Sequence, residues 1–148
     1  MRNMYQNQRS PMTILFLVVF VDMLGFTIVI PFLTYFIQDL ASNQGISDIG
    51  SRDFWVGFVI AIYALAQFIF TPILGTLSDR FGRRPILMFG LISNSIFFIV
   101  FGLSNSLEMA IIARFLSGAG NGNIAVARAY IGDISEPEQV ARRMGMIG

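Results

Sequence analysis

The chain has no cysteine, no histidine and no lysine. Without Cys or His, a disulfide scaffold, thiol chemistry, Cys/His zinc sites and histidine-based triads are all excluded. Charge is scarce as well. Charged residues make up 13% of the 148, against roughly 25% in an average soluble domain. The 10 basic residues nearly balance 9 acids, for a net charge of +1, so nothing points to a nucleic-acid partner. No phosphate-binding loop, metal motif or catalytic constellation occurs, so neither an enzyme nor a cofactor or metal is expected. What is plentiful is apolar: hydrophobic residues reach 55%, 15 of them Phe, and mean hydropathy is +0.68. An ordinary cytosolic domain and a disordered segment do not fit that balance.

The few charges are unevenly placed. The stretches 10–38, 54–78, 85–107 and 109–127 hold only Asp22 and Arg114, and every other charge lies between or beyond them. Roughly 20 apolar residues in a helix cross a ~30 Å hydrocarbon core. Membrane-spanning strands alternate over ~10 residues, whereas these runs are continuous. An all-α integral membrane protein is therefore expected, with transmembrane helices at about 12–37, 53–77, 85–104 and 106–131. The first run is long and lacks a small-residue cleavage site after it, so it reads as an uncleaved anchor. Residues 1–11 form a tail and 12–148 the membrane domain. Residues 38–52, rich in Gly, Ser, Asn and Asp, read as an exposed loop. Ser78 to Pro85 is a tight turn, and Asn105 barely separates helices three and four. After Asp133 a charged stretch runs to Arg142 and Arg143, and Met144 to Gly148 turns apolar, as a fifth helix starting at about 143 would. The sequence reads as a fragment.

Orientation follows from arginine. Arg2, Arg9, Arg80, Arg83, Arg84, Arg128, Arg142 and Arg143 fall on one side of this topology and Arg52 alone on the other. Basic loops stay cytoplasmic, so the N-terminus and the turn between helices two and three are expected inside, in a multi-pass protein of a cell (plasma or inner) membrane. The acids split evenly and decide nothing. Trp55 and Tyr130 fall where interfacial aromatics belong.

The turn Gly75-Thr76-Leu77-Ser78-Asp79-Arg80-Phe81-Gly82-Arg83-Arg84-Pro85 carries the most specific pattern, Gly-x-x-x-Asp-Arg-x-Gly-Arg-Arg. Gly75 is expected to let another helix pack closely, and Gly82 to permit the reversal. Asp79 is expected to face the arginines and accept from exposed N–H groups of a neighbouring helix end. A plain basic loop would need arginines, but neither glycines at this spacing nor an aspartate. The pattern resembles the loop signature of the major facilitator superfamily. Asp22-Met23-Leu24-Gly25-Phe26-Thr27-Ile28-Val29-Ile30-Pro31-Phe32-Leu33 is similar to the first helix of its drug/proton antiporters. Arg114-Phe115-Leu116-Ser117-Gly118-Ala119-Gly120 looks like the arginine motif of their fourth helix. Ala129-Tyr130-Ile131-Gly132-Asp133-Ile134 through Arg142-Arg143-Met144-Gly145 resembles the segment leading into helix five in tetracycline-efflux-type members.

The resemblance covers residues 12–148, about a third of a twelve-helix transporter, and implies two six-helix halves that rock around a central site. It also implies that helices one and four flank the central cavity. A basic residue of the loop signature, here Arg83, is then expected against an acid placed like Asp133. The fifth-helix Gly-Pro motif that accompanies antiport would fall past Gly148, so antiport rests on similarity to the tetracycline-efflux type.

Several intramembrane residues are candidates for chemistry. A mid-bilayer carboxylate costs about 2.5–3.5 kcal/mol unless paired or wet. Asp22 is read either as a proton-titrating or cation-binding group or as a static partner of Arg114. Arg114 keeps its proton and would orient or tune a carboxylate. Counting 1.5 Å per residue from the helix ends puts the two within ~3 Å of one level, so they are expected to lie near each other. On helix four, Arg114, Ser117, Gly118, Asn121, Ala125 and Arg128 share a face. Gly118 and Gly122 form a GxxxG, with Gly120 opposite, and read as packing positions. Asn121 and Asn123 want partners or water at that depth. On helix two, Tyr63, Gln67 and Thr71 stack as a cavity-facing stripe or an interhelical ladder. Ser93, Asn94 and Ser95 read as packing glue, Pro31 and Pro72 as bends, and the phenylalanines as lipid-facing or packing bulk. The cavity set is Asp22, Arg114, Tyr63, Gln67 and Asn121.

Three functions fit these features. One is proton-coupled efflux of a small organic or drug-like solute by the N-terminal part of a major facilitator transporter. Another is a self-contained four-helix oligomeric small multidrug exporter, and the third a non-transporting membrane scaffold. The loop signature and the unfinished fifth helix favour the first. Its partners would be the solute, protons, the lipid bilayer and the remaining helices of the transporter.

Overall fold

The computed structural model describes residues 9–135 together with Ala141, Met144 and Gly145; the side chains of residues 9–15, Asp22, Phe26 and Ile134 lie outside that description. Five helices follow in order: α1 (Arg9–Asn43), α2 (Ile49–Phe81), α3 (Arg83–Gly102), α4 (Leu107–Gly120) and α5 (Asn123–Ile134). No strand occurs among the described residues. Residues Phe16–Asn43 of α1, all of α2 and all of α3 are long and apolar enough to cross a membrane.

The span expected as one helix over 106–131 is two. Between Gly118 and Asn123 the sequence offers three glycines and two asparagines, which are poor helix formers because of backbone entropy and competing side-chain hydrogen bonds. Asn121 leaves helical geometry at φ −96°, ψ 76°, its N–H turning back to the Gly118 carbonyl at 3.1 Å. The next regular turn begins when the Val126 N–H reaches the Gly122 carbonyl at 3.1 Å. At 1.5 Å per residue the 14 residues of α4 and 12 of α5 run about 21 Å and 18 Å, so neither crosses a ~30 Å core alone, whereas the two in tandem do.

The exposed loop expected over 38–52 is mostly helix. Only 44–48 lie between α1 and α2, because polar side chains there extend the helix ends instead of ending them. Gln38 donates through Nε2 to Asp53 Oδ1 at 2.7 Å, and Arg52 Nε to the Ile46 carbonyl at 2.7 Å. Asp48 caps α2 by accepting from the Ser51 N–H at 2.8 Å, which holds its carboxyl below the usual range. At the other end, Gly82 stands at φ 99° between α2 and α3. That is a left-handed conformation an L side chain resists.

Inside the bundle the packing has three levels. One apolar cluster joins Leu33, Ile37, Leu40 and Ala41 of α1 with Val56, Val59, Phe101, Leu107, Ala110 and Ala113. A second joins Val19, Leu74, Ile86, Leu87, Val126, Ala127 and Ile131 towards the α2–α3 turn. Between them sit buried Tyr63, Asn94, Arg114, Ser117, Asn121 and Asn123. Small residues let this middle level close. A Cβ on Gly118 would run into the Tyr63 carbonyl, one on Gly122 would come within 2.9 Å of Leu74, and one on Gly120 within 2.6 Å of Ser93 Oγ. On the outer faces, Ile28, Phe68, Met88 and Ile99 are all more than half exposed, as suits helices whose solvent is hydrocarbon.

Candidate functional site

Arg114 is the charge at the centre of the middle level. It is 3% exposed. Its guanidinium carbon lies 4.3 Å from the Phe101 ring centroid, 5.5 Å from that of Phe98 and 5.8 Å from that of Tyr63. Three aromatic faces thus supply the electrostatic attraction that a cation needs when water is excluded. Among the described residues neither Nε nor Nη2 has a hydrogen-bond partner, and no carboxylate pairs with Arg114. A cavity of about 70 Å³ adjoins it, lined by Val29, Ile30 and Leu33 of α1, Val59, Ile60 and Tyr63 of α2, and Arg114 itself. The apolar walls come from α1 and α2, and α4 contributes the charge.

The helix break positions the polar neighbours. By leaving the helix at Asn121, the chain aims its side chain at α2, where Nδ2 donates to the Tyr63 hydroxyl at 2.6 Å. One turn earlier, Ser117 Oγ donates to Asn94 Oδ1 on α3 at 2.5 Å. The Asn121 Oδ1 and the Asn123 Nδ2 are buried without partners. Gln67 is half-buried, and Thr71 donates to the Gln67 backbone carbonyl at 2.6 Å within its own helix. Among the described residues, only Tyr63 of the Tyr63/Gln67/Thr71 stripe hydrogen-bonds across to another helix. The Asp22 side chain, and with it the expected pairing with Arg114, lies outside the described residues.

A second polar cluster surrounds the turn. Arg83, the first residue of α3, forms ion pairs with Asp79 one turn back on α2 and with Asp133 near the end of α5, the latter through Nε at 2.9 Å. Its Nη1 donates to Ser78 Oγ at 2.6 Å, and that hydroxyl donates on to the Gly75 carbonyl at 2.7 Å. Arg84 Nε donates to the Tyr130 hydroxyl at 3.3 Å. Arg80 leans over the Phe81 ring, 6.0 Å from its centroid. Two expectations need correction. A Cβ on Gly75 would meet nothing within 4 Å among the described residues, because α2 turns its Leu74 side, not Gly75, towards Gly122. Asp79 accepts from Arg83 and, among the described residues, from no helix-end N–H, since the guanidinium reaches the carboxylate first.

Phe98 and Phe101 were not marked out by composition. The signal was spacing: Asn94, Phe98 and Phe101 recur at four and three residues along one face of α3, so the aromatic pair follows the buried amide. Among the described residues no group of three or more His, Cys, Asp or Glu side chains is placed to hold a metal.

The sequence model of the Major Facilitator Superfamily matches residues 15–148. The chain is 35% identical over 126 residues to the class C tetracycline resistance protein of Escherichia coli, covering 85% of this chain and 30% of that protein. It is 32% identical over 139 residues to the class B protein of the same organism, covering 94% and 33%. It is 38% identical over 117 residues to Protein Zinc Induced Facilitator 1 of Arabidopsis thaliana, covering 79% and 24%. The chain thus spans about a third or less of the length of these curated relatives.

Proposed function

Since the chain belongs to the Major Facilitator Superfamily, we propose that it forms the N-terminal part of a secondary transporter exporting a small organic or drug-like solute in exchange for protons. The observation that carries this reading is the cavity beside Arg114, an apolar pocket with one buried cation between α1, α2 and α4. Solute sites in such transporters lie near mid-membrane, where interrupted helices line a cavity, and α4 is interrupted about two turns beyond Arg114. The tetracycline resistance relatives support a drug-like solute.

In this reading Arg114, Tyr63, Gln67 and Asn121 line the solute path, and Asp22 on α1 is the proton-carrying carboxylate. An intramembrane acid is costly unless paired or wet, and such acids mark proton relays in transporters. The Gly75, Asp79, Arg80, Gly82, Arg83 and Arg84 turn, with Asp133, braces one conformation through the contacts of Arg83. The turn is cytoplasmic, as arginine placement favours, and the membrane is the plasma or inner membrane.

The test uses the full-length protein in inverted membrane vesicles. Proton-driven uptake of tetracycline is expected, with release of the proton gradient on adding the drug and loss of both in Asp22→Asn. Absence of gradient-dependent flux overturns the exchange, and undiminished flux in Asp22→Asn overturns the role of that residue. Orientation is read by an impermeant thiol reagent: Ser47→Cys should react from outside intact cells, and Arg80→Cys only after lysis.

A further inference from the structure

Tyr63 belongs to two features of the bundle at once. It is a wall of the cavity beside Arg114, and its hydroxyl accepts from Asn121 Nδ2 at 2.6 Å, at the residue where α4 stops. Its backbone is not free to follow a moving ring, because α4 lies so close that a Cβ on Gly118 would run into the Tyr63 carbonyl. A push on the ring therefore passes on through the hydroxyl. The break that receives it has little else to hold it. The Asn121 N–H turns back to the Gly118 carbonyl at 3.1 Å and the Gly122 N–H to the Gly120 carbonyl at 3.3 Å, both shorter reaches than the helical bond to the fourth residue back. Gly122 caps α5 with no side-chain hydrogen bond. Among the described residues the Tyr63 hydroxyl is the one side-chain partner of Asn121, while Asn121 Oδ1 and Asn123 Nδ2 stay buried without any. Buried amides are as a rule satisfied at both ends. The angle between α4 and α5 is thus set less by the break's own hydrogen bonds than by one tie to α2.

The other walls differ. Leu33 and Val59 are locked into the first apolar cluster, with Val29 packed against it. Ile30 and Ile60, each 43% exposed, give way without touching the break. At about 70 Å³ the cavity is smaller than the ~150 Å³ that encloses a benzene ring, so a solute that seats even one ring there displaces a wall. We propose that Tyr63 and Asn121 are positioning residues of the transport cycle. Their hydrogen bond holds α5 at its present angle, and a ring-sized solute that pushes Tyr63 aside breaks the bond and lets α5 reorient. Coupling of this kind needs an element with two arrangements that both sites bias, and a helix break with unsatisfied amides is such an element. The inference deepens the solute-path reading and rests on it only for what fills the cavity; the tie between Tyr63 and α5 stands without it.

The test places spin labels on the full-length protein in lipid nanodiscs, at Met88→Cys on α3 and Gly132→Cys on α5. Met88 is 62% exposed, and a Cβ at Gly132 meets nothing within 4 Å among the described residues, so both sites accept a label. Tetracycline is expected to shift the distance between the labels by a few ångströms. Tyr63→Phe keeps the ring and removes the acceptor, and Asn121→Ala removes the donor. Each should show the drug-shifted distance with no drug present, and tetracycline should then move it no further. Tetracycline binding to Tyr63→Phe should not weaken, whereas mere damage to the fold would weaken it. A Tyr63→Phe distance that matches the parent's without drug overturns the proposal, as does a drug response that survives Asn121→Ala. Should Asn121→Ala not fold, Tyr63→Phe decides alone. A parent that ignores tetracycline while Tyr63→Phe moves α5 would sink the solute reading and leave the tie standing. Tetracycline-driven flux with α5 unmoved in every variant would do the reverse.

Discussion

Arg83 and Arg114 carry the same guanidinium into opposite surroundings. Arg83 meets two carboxylates and a hydroxyl, and those carboxylates are 60% and 55% exposed. Arg114 is buried against three aromatic rings, with two donors unpaired among the described residues. Exposed ion pairs contribute about 0–1 kcal/mol because water and salt screen them. A buried charge can cost several. The first arginine is thus a strut, whose value is the geometry it fixes between α2, α3 and α5. The second is a buried charge that no carboxylate pairs among the described residues, held by aromatic rings.

The largest expected effect breaks the buried region from the side. Gly118→Leu drives a side chain into the Tyr63 backbone, and overpacking of this kind costs typically 1–3 kcal/mol. Unfolding in mixed micelles should register that loss, with Gly75→Leu, where space is open, as the silent control. Arg114→Met comes next and sharpens the contrast. The charge costs roughly 2.5–3.5 kcal/mol at depth, which three cation–π contacts of about 0.5–2 kcal/mol each largely offset, so the variant should change stability by no more than about 2 kcal/mol and be inactive in transport. A marked loss of stability would reveal an ionic partner and erase the difference from Arg83. Tyr63→Phe removes the acceptor of the Asn121 amide, and hydrogen bonds between membrane helices average about 0.6 kcal/mol. Smallest is the coupling between Arg83 and Asp133. A double-mutant cycle should give a few tenths of a kcal/mol at low salt and nothing measurable at 1 M, where the Debye length is ~3 Å. Either single substitution should nevertheless impair transport.

The two regions were also unequally legible in the sequence. The turn could be read because its partners are local: Ser78, Asp79 and Gly82 lie within five residues of Arg83, and spacing on a helix end fixes what they can touch. Asp133 came from the family resemblance, 50 residues away. The buried site was legible only as residue types at a common depth. Which ring faces Arg114, and that Asn121 reaches Tyr63, depend on how α3 and α2 rotate against α4, and no local pattern states that. The break at Asn121 is an intermediate case. Its glycines and asparagines are visible, the glycines as packing positions and the asparagines as amides wanting partners or water, and the glycines do pack tightly. Apolar continuity across 109–127 hid the second consequence of the same residues, a weak helix. At Gly75 the motif implies close contact, and among the described residues a Cβ there would meet nothing within 4 Å.

That break divides a shaft into two levers. With Gly122 as pivot, Asp133 stands about eleven residues out on α5, an arm of roughly 16 Å at 1.5 Å per residue. A tilt of about 10° at the joint carries the arm's tip through roughly 3 Å at that length. The Arg83–Asp133 bond is 2.9 Å long. A change of a few backbone angles beside Tyr63 and Asn121 therefore reaches the far end of the bundle, and it carries Val126, Ala127 and Ile131 of the second apolar cluster with the arm.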